Sequence, residues 1–285
     1  MEQSKISAKR IGVVLGRLGK LNRSALKYLI VHLNTIQTSF EFEIIRCEHT
    51  DPLLTFLGQK GVVDRDKCRE MLSAFHSRMT KSIHEESLSY QLADDSSPDH
   101  FVLITMARFS DQHYGLKSET VQVQALGDWD REMAPPSIFE FILTLLLRQS
   151  VGFASPLLSK SIHLGTKGCL FDFNADLSDA RYKALHGFVC TECRNRLRSD
   201  DMEYIADDVV RVLDMQWLGR QSDPHSPATI VAKLGYNLFL TQGIRPTFLE
   251  ALRAGLRDEG TRELVKLIGG VILAGLLVWL GLKGT

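Results

Sequence analysis

The sequence has no surplus of charge of either sign: 34 Lys and Arg are balanced by 34 Asp and Glu. The basic excess that usually marks a nucleic-acid binder is therefore missing, and no nucleic-acid partner is expected. Cysteine is scarce and odd in number, five in all, with Cys47 and Cys68 standing apart from Cys169, Cys190 and Cys193. An odd count with one tight pair is not the disulfide framework of a secreted domain. No secretory leader is expected either. Residues 1–16 (MEQSKISAKRIGVVLG) hold too short an apolar run, and no small-residue cleavage site follows. The main domain is thus expected in a reducing cytoplasm.

Catalytic signatures are missing as well. Residues 12–20 (GVVLGRLGK) hint at a phosphate loop, but Val14 and Leu21 stand where glycine and Ser or Thr are required. His84-Glu85-Glu86-Ser87-Leu88 opens like HExxH and lacks the second histidine, so it reads as a solvated helix face. No Ser/His/Asp or Cys/His nucleophile pattern stands out, His76, His84, His100 and His113 are scattered, and no internal repeat is visible.

What is present is an ordinary folded composition, 44% hydrophobic and 24% charged, in 285 residues, enough for one large domain or two small ones. One apolar run is exceptional. Residues 267–282 (LIGGVILAGLLVWLGL) carry no charge. Extended back to Leu264, the run predicts a membrane helix of roughly 28 Å at about 1.5 Å per residue. Lys266 and Lys283 can snorkel to the two interfaces, and Trp279 suits a headgroup boundary. Gly270 and Ala274 form a small-xxx-small face on which two copies could associate. Arg253, Arg257, Arg262 and Lys266 precede the run and put that side in the cytoplasm. The expectation is a single-pass tail anchor at the C-terminus.

Upstream, residues 11–15 (IGVVL) predict a buried strand, 21–36 an amphipathic helix and 41–45 (EFEII) a second strand, a β-α-β opening that favours a parallel sheet. Residues 65–92 are helix-compatible and 94–99 (DDSSPD) a loop. Residues 101–106 (FVLITM) predict a central strand, and 121–126 a strand alternating with glutamine. A long apolar helix follows at 138–153, with Ser137 as its cap. Residues 201–218 look helical, and 222–227 (SDPHSP) read as a linker. The expected fold class is α/β, a mostly parallel mixed sheet with flanking helices, a zinc knuckle and a C-terminal transmembrane helix. The expected domains are 1–221 soluble, with the knuckle at 163–198, then 222–263 linker and juxtamembrane helix, then 264–282 anchor.

The knuckle rests on His163, Cys169, Cys190 and Cys193, spaced x5, x20 and x2. A CxxC turn puts two thiolates on one ion, a distant turn supplies the other pair, and Cys3His is a standard structural zinc set with no open position. Gly165, Gly168 and Gly187 permit the tight backbone. His186 is a rival fourth ligand. A redox role for the CxxC is disfavoured, because residues 189–194 show no clear strand-to-helix start. Asp172, Asp176 and Asp179 form an acidic run read as a solvated loop rather than a cation site.

At this region the chain resembles the archaemetzincins, small zinc-dependent metallopeptidases that carry a CxxC after a CVMNFSNS-like stretch. Cys169-Leu170-Phe171-Asp172-Phe173-Asn174 and Phe188-Val189-Cys190-Thr191-Glu192-Cys193 carry the likeness, with His163 in place of the family's first cysteine. It spans about residues 11–197. The resemblance implies HExxHxxGxxH on the long helix. With Gly152 as the motif glycine, its histidines and glutamate fall on Leu145, Gln149, Ser155 and Leu146. None of these can do that chemistry, so the implied protein is a metzincin-like pseudoenzyme that keeps only its structural zinc. Its cleft, between the 121–126 strand and the 138–153 helix, is expected to bind or sense a peptide or protein partner by edge-strand addition at the cytoplasmic face of a bacterial-type membrane. Two alternatives stay open: an active metalloenzyme whose second metal comes from His76, His84, His100 or His113, and an effector whose tail disturbs the bilayer.

Overall fold

A computed structural model of the protein describes residues 8–92, 97–160 and 163–258. The expected span at 264–282, with Gly270 and Ala274, lies outside the described residues, as do positions 94–96 of the expected loop. No helix among the described residues is long and apolar enough to cross a membrane.

The chain opens β1 (Lys9–Leu15), α1 (Arg23–His32), β2 (Phe40–Ile45), with β1 and β2 parallel. Asn22 caps α1 by accepting from the Ala25 N–H, and Ala25, Leu26, Leu29 and Ile30 form its buried face. Then come α2 (Pro52–Leu57), β3 (Val62–Val63), α3 (Arg65–Ser89), β4 (His100–Thr105), β5 (Arg108–Phe109), β6 (Gly115–Lys117) and β7 (Val121–Ala125). Five strands form one sheet in the order β2-β1-β4-β7-β6, parallel except for the antiparallel edge strand β6. A two-stranded ribbon, β3 with β5, sits apart from it. The sheet is thus mixed and mostly parallel, as expected.

The central strands are buried on both faces, which is why residues 101–104 read as an unbroken apolar run. Phe101, Leu103, Val121 and Val123 pack with Leu72, Phe75 and Met79 of α3. Ile11, Val13, Val102 and Ile104 pack with α1 and with α4 (Ile138–Ala154) on the other face. Glutamines alternating along β7 are ordinarily the solvent side of a strand. Here Gln122 and Gln124 are 5% and 0% exposed. Gln124 Nε2 donates to Gln149 Oε1 at 2.7 Å, and Gln122 Nε2 to the Gln149 carbonyl at 3.4 Å. The polar face of β7 is therefore matched by one polar residue of α4.

Ser137 caps α4 within a full capping box: its Oγ accepts from the Glu140 N–H at 3.3 Å, and Glu140 Oε2 accepts from the Ser137 N–H at 2.6 Å. Ser137→Ala is expected to cost about 1 kcal/mol, a fall in Tm of roughly 2–4 °C by differential scanning fluorimetry. An unchanged Tm would remove the box from the account of this helix.

The remaining elements are α5 (Pro156–Lys160), α6 (Leu177–His186), α7 (Thr191–Ser199), α8 (Glu203–Leu213), α9 (Pro227–Lys233) and α10 (Phe248–Asp258). Asp208 ties α8 to the start of β2: its Oδ2 accepts from the Thr38 and Ser39 N–H groups, both at 2.9 Å. The segment expected to begin a linker packs on the domain instead. Val231 and Tyr236 are 0% and 2% exposed, and the Tyr236 ring meets Phe139 of α4 edge-on at 4.4 Å. Asn22 Nδ2 donates to the Leu234 carbonyl at 2.7 Å, and Arg131 pairs with Glu250. The polar SDPHSP run is a turn into α9, whose apolar side closes over α1.

Candidate metal centre and adjoining cleft

The four predicted ligands come from three short pieces of chain. His163 follows α5 and makes a parallel bridge to Asp172. Cys169 lies in the turn between those two positions and bridges to Phe188. Cys190 is the N-cap of α7, and Cys193 lies in that helix's first turn. The helix start missed in the sequence is therefore present, and it places both thiols of the CxxC on one side of the α7 N-terminus.

One donor atom from each of the four residues lies within 4.8 Å of the others. His163 Nε2 is 3.0 Å from Cys190 Sγ and 3.1 Å from Cys193 Sγ. The sulfurs of Cys169 and Cys193 share a hydrogen bond at 4.0 Å. A tetrahedral zinc with Zn–S of about 2.3 Å and Zn–N of about 2.0 Å separates its donors by roughly 3.5–3.8 Å. The donor set is that of a structural zinc site, and the distances between its atoms fall on either side of that spacing. Cys169 and Cys193 are 0% and 2% exposed, and four protein ligands leave a tetrahedral ion no open position for substrate.

The electrostatics also suit a cation. The hydrogen bond with Cys193 lowers the Cys169 thiol to about 5 against the opposing effect of burial, with further help from the Phe171 and Cys190 N–H groups. The same hydrogen bond, with burial, raises Cys193. His163 turns its other nitrogen, Nδ1, toward Glu192 Oε2 at 3.5 Å, and Arg196 holds that glutamate at 2.6 Å. A carboxylate behind the imidazole fixes which nitrogen faces the metal.

Asp172 corrects the reading of the acidic run as a solvated loop. It is 0% exposed, and its Oδ2 accepts from the N–H groups of Lys167, Gly168 and Cys169 at 2.6, 2.7 and 3.1 Å. Those bonds close the turn that presents Cys169. Lys183, 1% exposed, donates its Nζ to the Asp172 carbonyl at 2.8 Å. Burial, then the charge of Arg148, pushes the Lys183 ammonium well below its ordinary range. Gly168 has φ +79°, and a Cβ there would meet the His186 ring at 2.7 Å. The rival ligand His186 therefore packs on the turn, and His163 is the histidine in the cluster.

Beside the knuckle, a cleft of about 260 Å³ opens between β6, α4 and residues 173–175. Leu145 and Gln149 line it, whereas Leu146 and Ser155 are 0% exposed. Ser155 donates its hydroxyl to Asp200. None of the four offers a metal-binding imidazole or carboxylate. His76, His100 and His113 lie apart, against Phe101, Phe153 and Asp111 respectively, and His84 is on α3. Among the described residues no second group of three or more His, Cys, Asp or Glu side chains converges as a metal set.

No protein-family model matches the chain. No curated protein matches it either. Among solved structures it is similar to an archaemetzincin from Methanopyrus kandleri, with a TM-score of 0.42 and 11% identity over 70% of this chain and 98% of that one. The structural likeness is distant.

Proposed function

We propose that this protein is a tail-anchored, catalytically inactive metallopeptidase-like receptor. Zinc held by His163, Cys169, Cys190 and Cys193 stabilises its cytoplasmic domain, and the cleft beside β6 binds an extended peptide segment of a protein partner. The observation that carries the reading is the outer edge of β6, which no strand among the described residues pairs. In an antiparallel pair, residues alternate between bonding the partner strand and facing away. The Ala125 N–H donates to the Tyr114 carbonyl and the Ser118 N–H to the Val121 carbonyl, so Gly115 and Lys117 turn their backbone groups away from β7. Both residues line the cleft. An added strand would pair with those groups while its side chains alternated into the cleft. Leu145, Leu146, Gln149 and Ser155 leave that groove without the residues a peptidase needs, which favours holding over cleavage.

Gly115→Pro tests the reading, because it deletes an outward N–H and leaves the bonds to β7 in place. The expected result is loss of binding to heptapeptides selected by the wild-type chain from a randomised library, with Tm within about 2 °C. Undiminished binding would move the peptide off this edge. The anchor has its own test: the full chain should stay in the membrane pellet through alkaline carbonate extraction, and a chain ended at Glu263 should leave it. Extraction of the full chain by carbonate would refute the anchor.

A further inference from the structure

The cleft is not electrically neutral, and its positive charge is unequally satisfied. Arg65 at its rim is paired with Asp111 at 2.6 Å. Lys117 on β6 donates to the Ser159 carbonyl, a neutral acceptor. Arg148 on α4 has no ion pair among the described residues, and its buried Nε has no hydrogen-bond partner. Arg148 also depresses Lys117, after burial, as expected of two cations sharing one space with no carboxylate between them. Opposite them Asn174 is 7% exposed; its Nδ2 donates to Thr166 Oγ1 at 3.4 Å and its Oδ1 is unpartnered. A buried guanidinium nitrogen and a buried amide oxygen without partners are each costly unless a ligand supplies the missing group.

We infer that the cleft takes a carboxylate of the bound peptide between Arg148 and Lys117, so that the partner class is acidic extended peptides. This rests on the peptide-binding reading above. A guanidinium meets a carboxylate with two parallel hydrogen bonds, and a partly desolvated site strengthens the pair over its surface value. The carboxylate can be an acidic side chain or a chain terminus, since both present the same two oxygens.

The test uses the full chain in detergent micelles and a positional-scanning library of fluorescent heptapeptides. Each pool is fixed at one position as Glu, Gln or Lys and randomised elsewhere, and each is made as free acid and as amide. Glu pools should bind at least about tenfold tighter than Gln pools at one position, a difference ordinary for a buried charged hydrogen bond. A preference for free acid over amide instead would assign the carboxylate to the chain terminus. Arg148→Gln should abolish whichever preference is seen, with zinc content unchanged; Arg148→Glu should turn it toward Lys. Lys117→Gln, at an exposed position, should weaken the preference in a variant that keeps the core intact. Equal binding of all charge classes, with binding still blocked by Gly115→Pro, would overturn the inference and leave the peptide reading standing. Failure of every pool to bind would overturn both.

Discussion

Cys193→Ser should strip the protein of its metal. The full chain is expected to carry about one zinc, and the variant almost none, measured by elemental analysis after gel filtration. Serine cannot replace a thiolate as a soft ligand, and Cys193 is 2% exposed, so water cannot readily take its place. The energetic effect should be large because the site ties the turn at 163–172 to the first turn of α7 through all four ligands. Small structural zinc sites supply about 10–16 kcal/mol of apparent binding free energy at neutral pH, comparable with the whole stability of a domain. The variant's Tm should therefore fall by more than about 10 °C. Cys47→Ser is the control. Burial, then Asp51, pushes the Cys47 thiol up to about 11, it lies outside the cluster, and its loss should leave zinc at about one per chain. A Cys193→Ser protein that still holds one zinc would disprove the site, and two zincs per wild-type chain would demand a second one.

The parts of this protein that could be read from its sequence are those whose chemistry is local. CxxC with Cys169 and His163 announces itself because zinc needs those atoms and little else. The β1-α1-β2 opening shows because its periodicities differ cleanly, and Ser137 shows because a capping box is a four-residue event. What stayed hidden depends on distant partners. Asp172 looks like its neighbours Asp176 and Asp179, and only the fold of the 163–172 turn buries it beneath three N–H groups. Gln122 and Gln124 look solvent-facing until Gln149 is placed against them. Residues 222–227 read as a linker because SDPHSP is polar, yet just beyond them Tyr236 finds Phe139 nearly a hundred positions away. β6 is three residues long, too short for alternation to register; a lysine beside a glycine, Lys117 near Gly115, was the one available sign of an edge strand.

Asp172→Ala is expected to be nearly as damaging as loss of a ligand, although Asp172 itself is not in the metal cluster. The substitution leaves three N–H donors without their acceptor, and those of Gly168 and Cys169 are buried. At about 1–3 kcal/mol for each buried orphan, the cost should be roughly 3–5 kcal/mol, or about 6–20 °C in Tm. Zinc affinity should fall as well, by about 10–100-fold, the range seen when a residue that positions a ligand is removed. The link is geometric: the bonds to Asp172 set the backbone of Cys169, and the Cys169 sulfur must meet the Cys190 N–H at 3.4 Å as well as the ion. Asp172→Asn separates the two effects. It keeps one oxygen for the turn, so it should retain most of the stability, and its zinc affinity should lie between wild type and Ala. Competition against a chromogenic chelator would read the affinity directly. If the alanine variant bound zinc like wild type and melted within about 1 °C of it, the carboxylate would be a bystander. The knuckle's shape would then have to come from its glycines, with Gly168 at φ +79° and Gly187 at φ +55° carrying the turns alone.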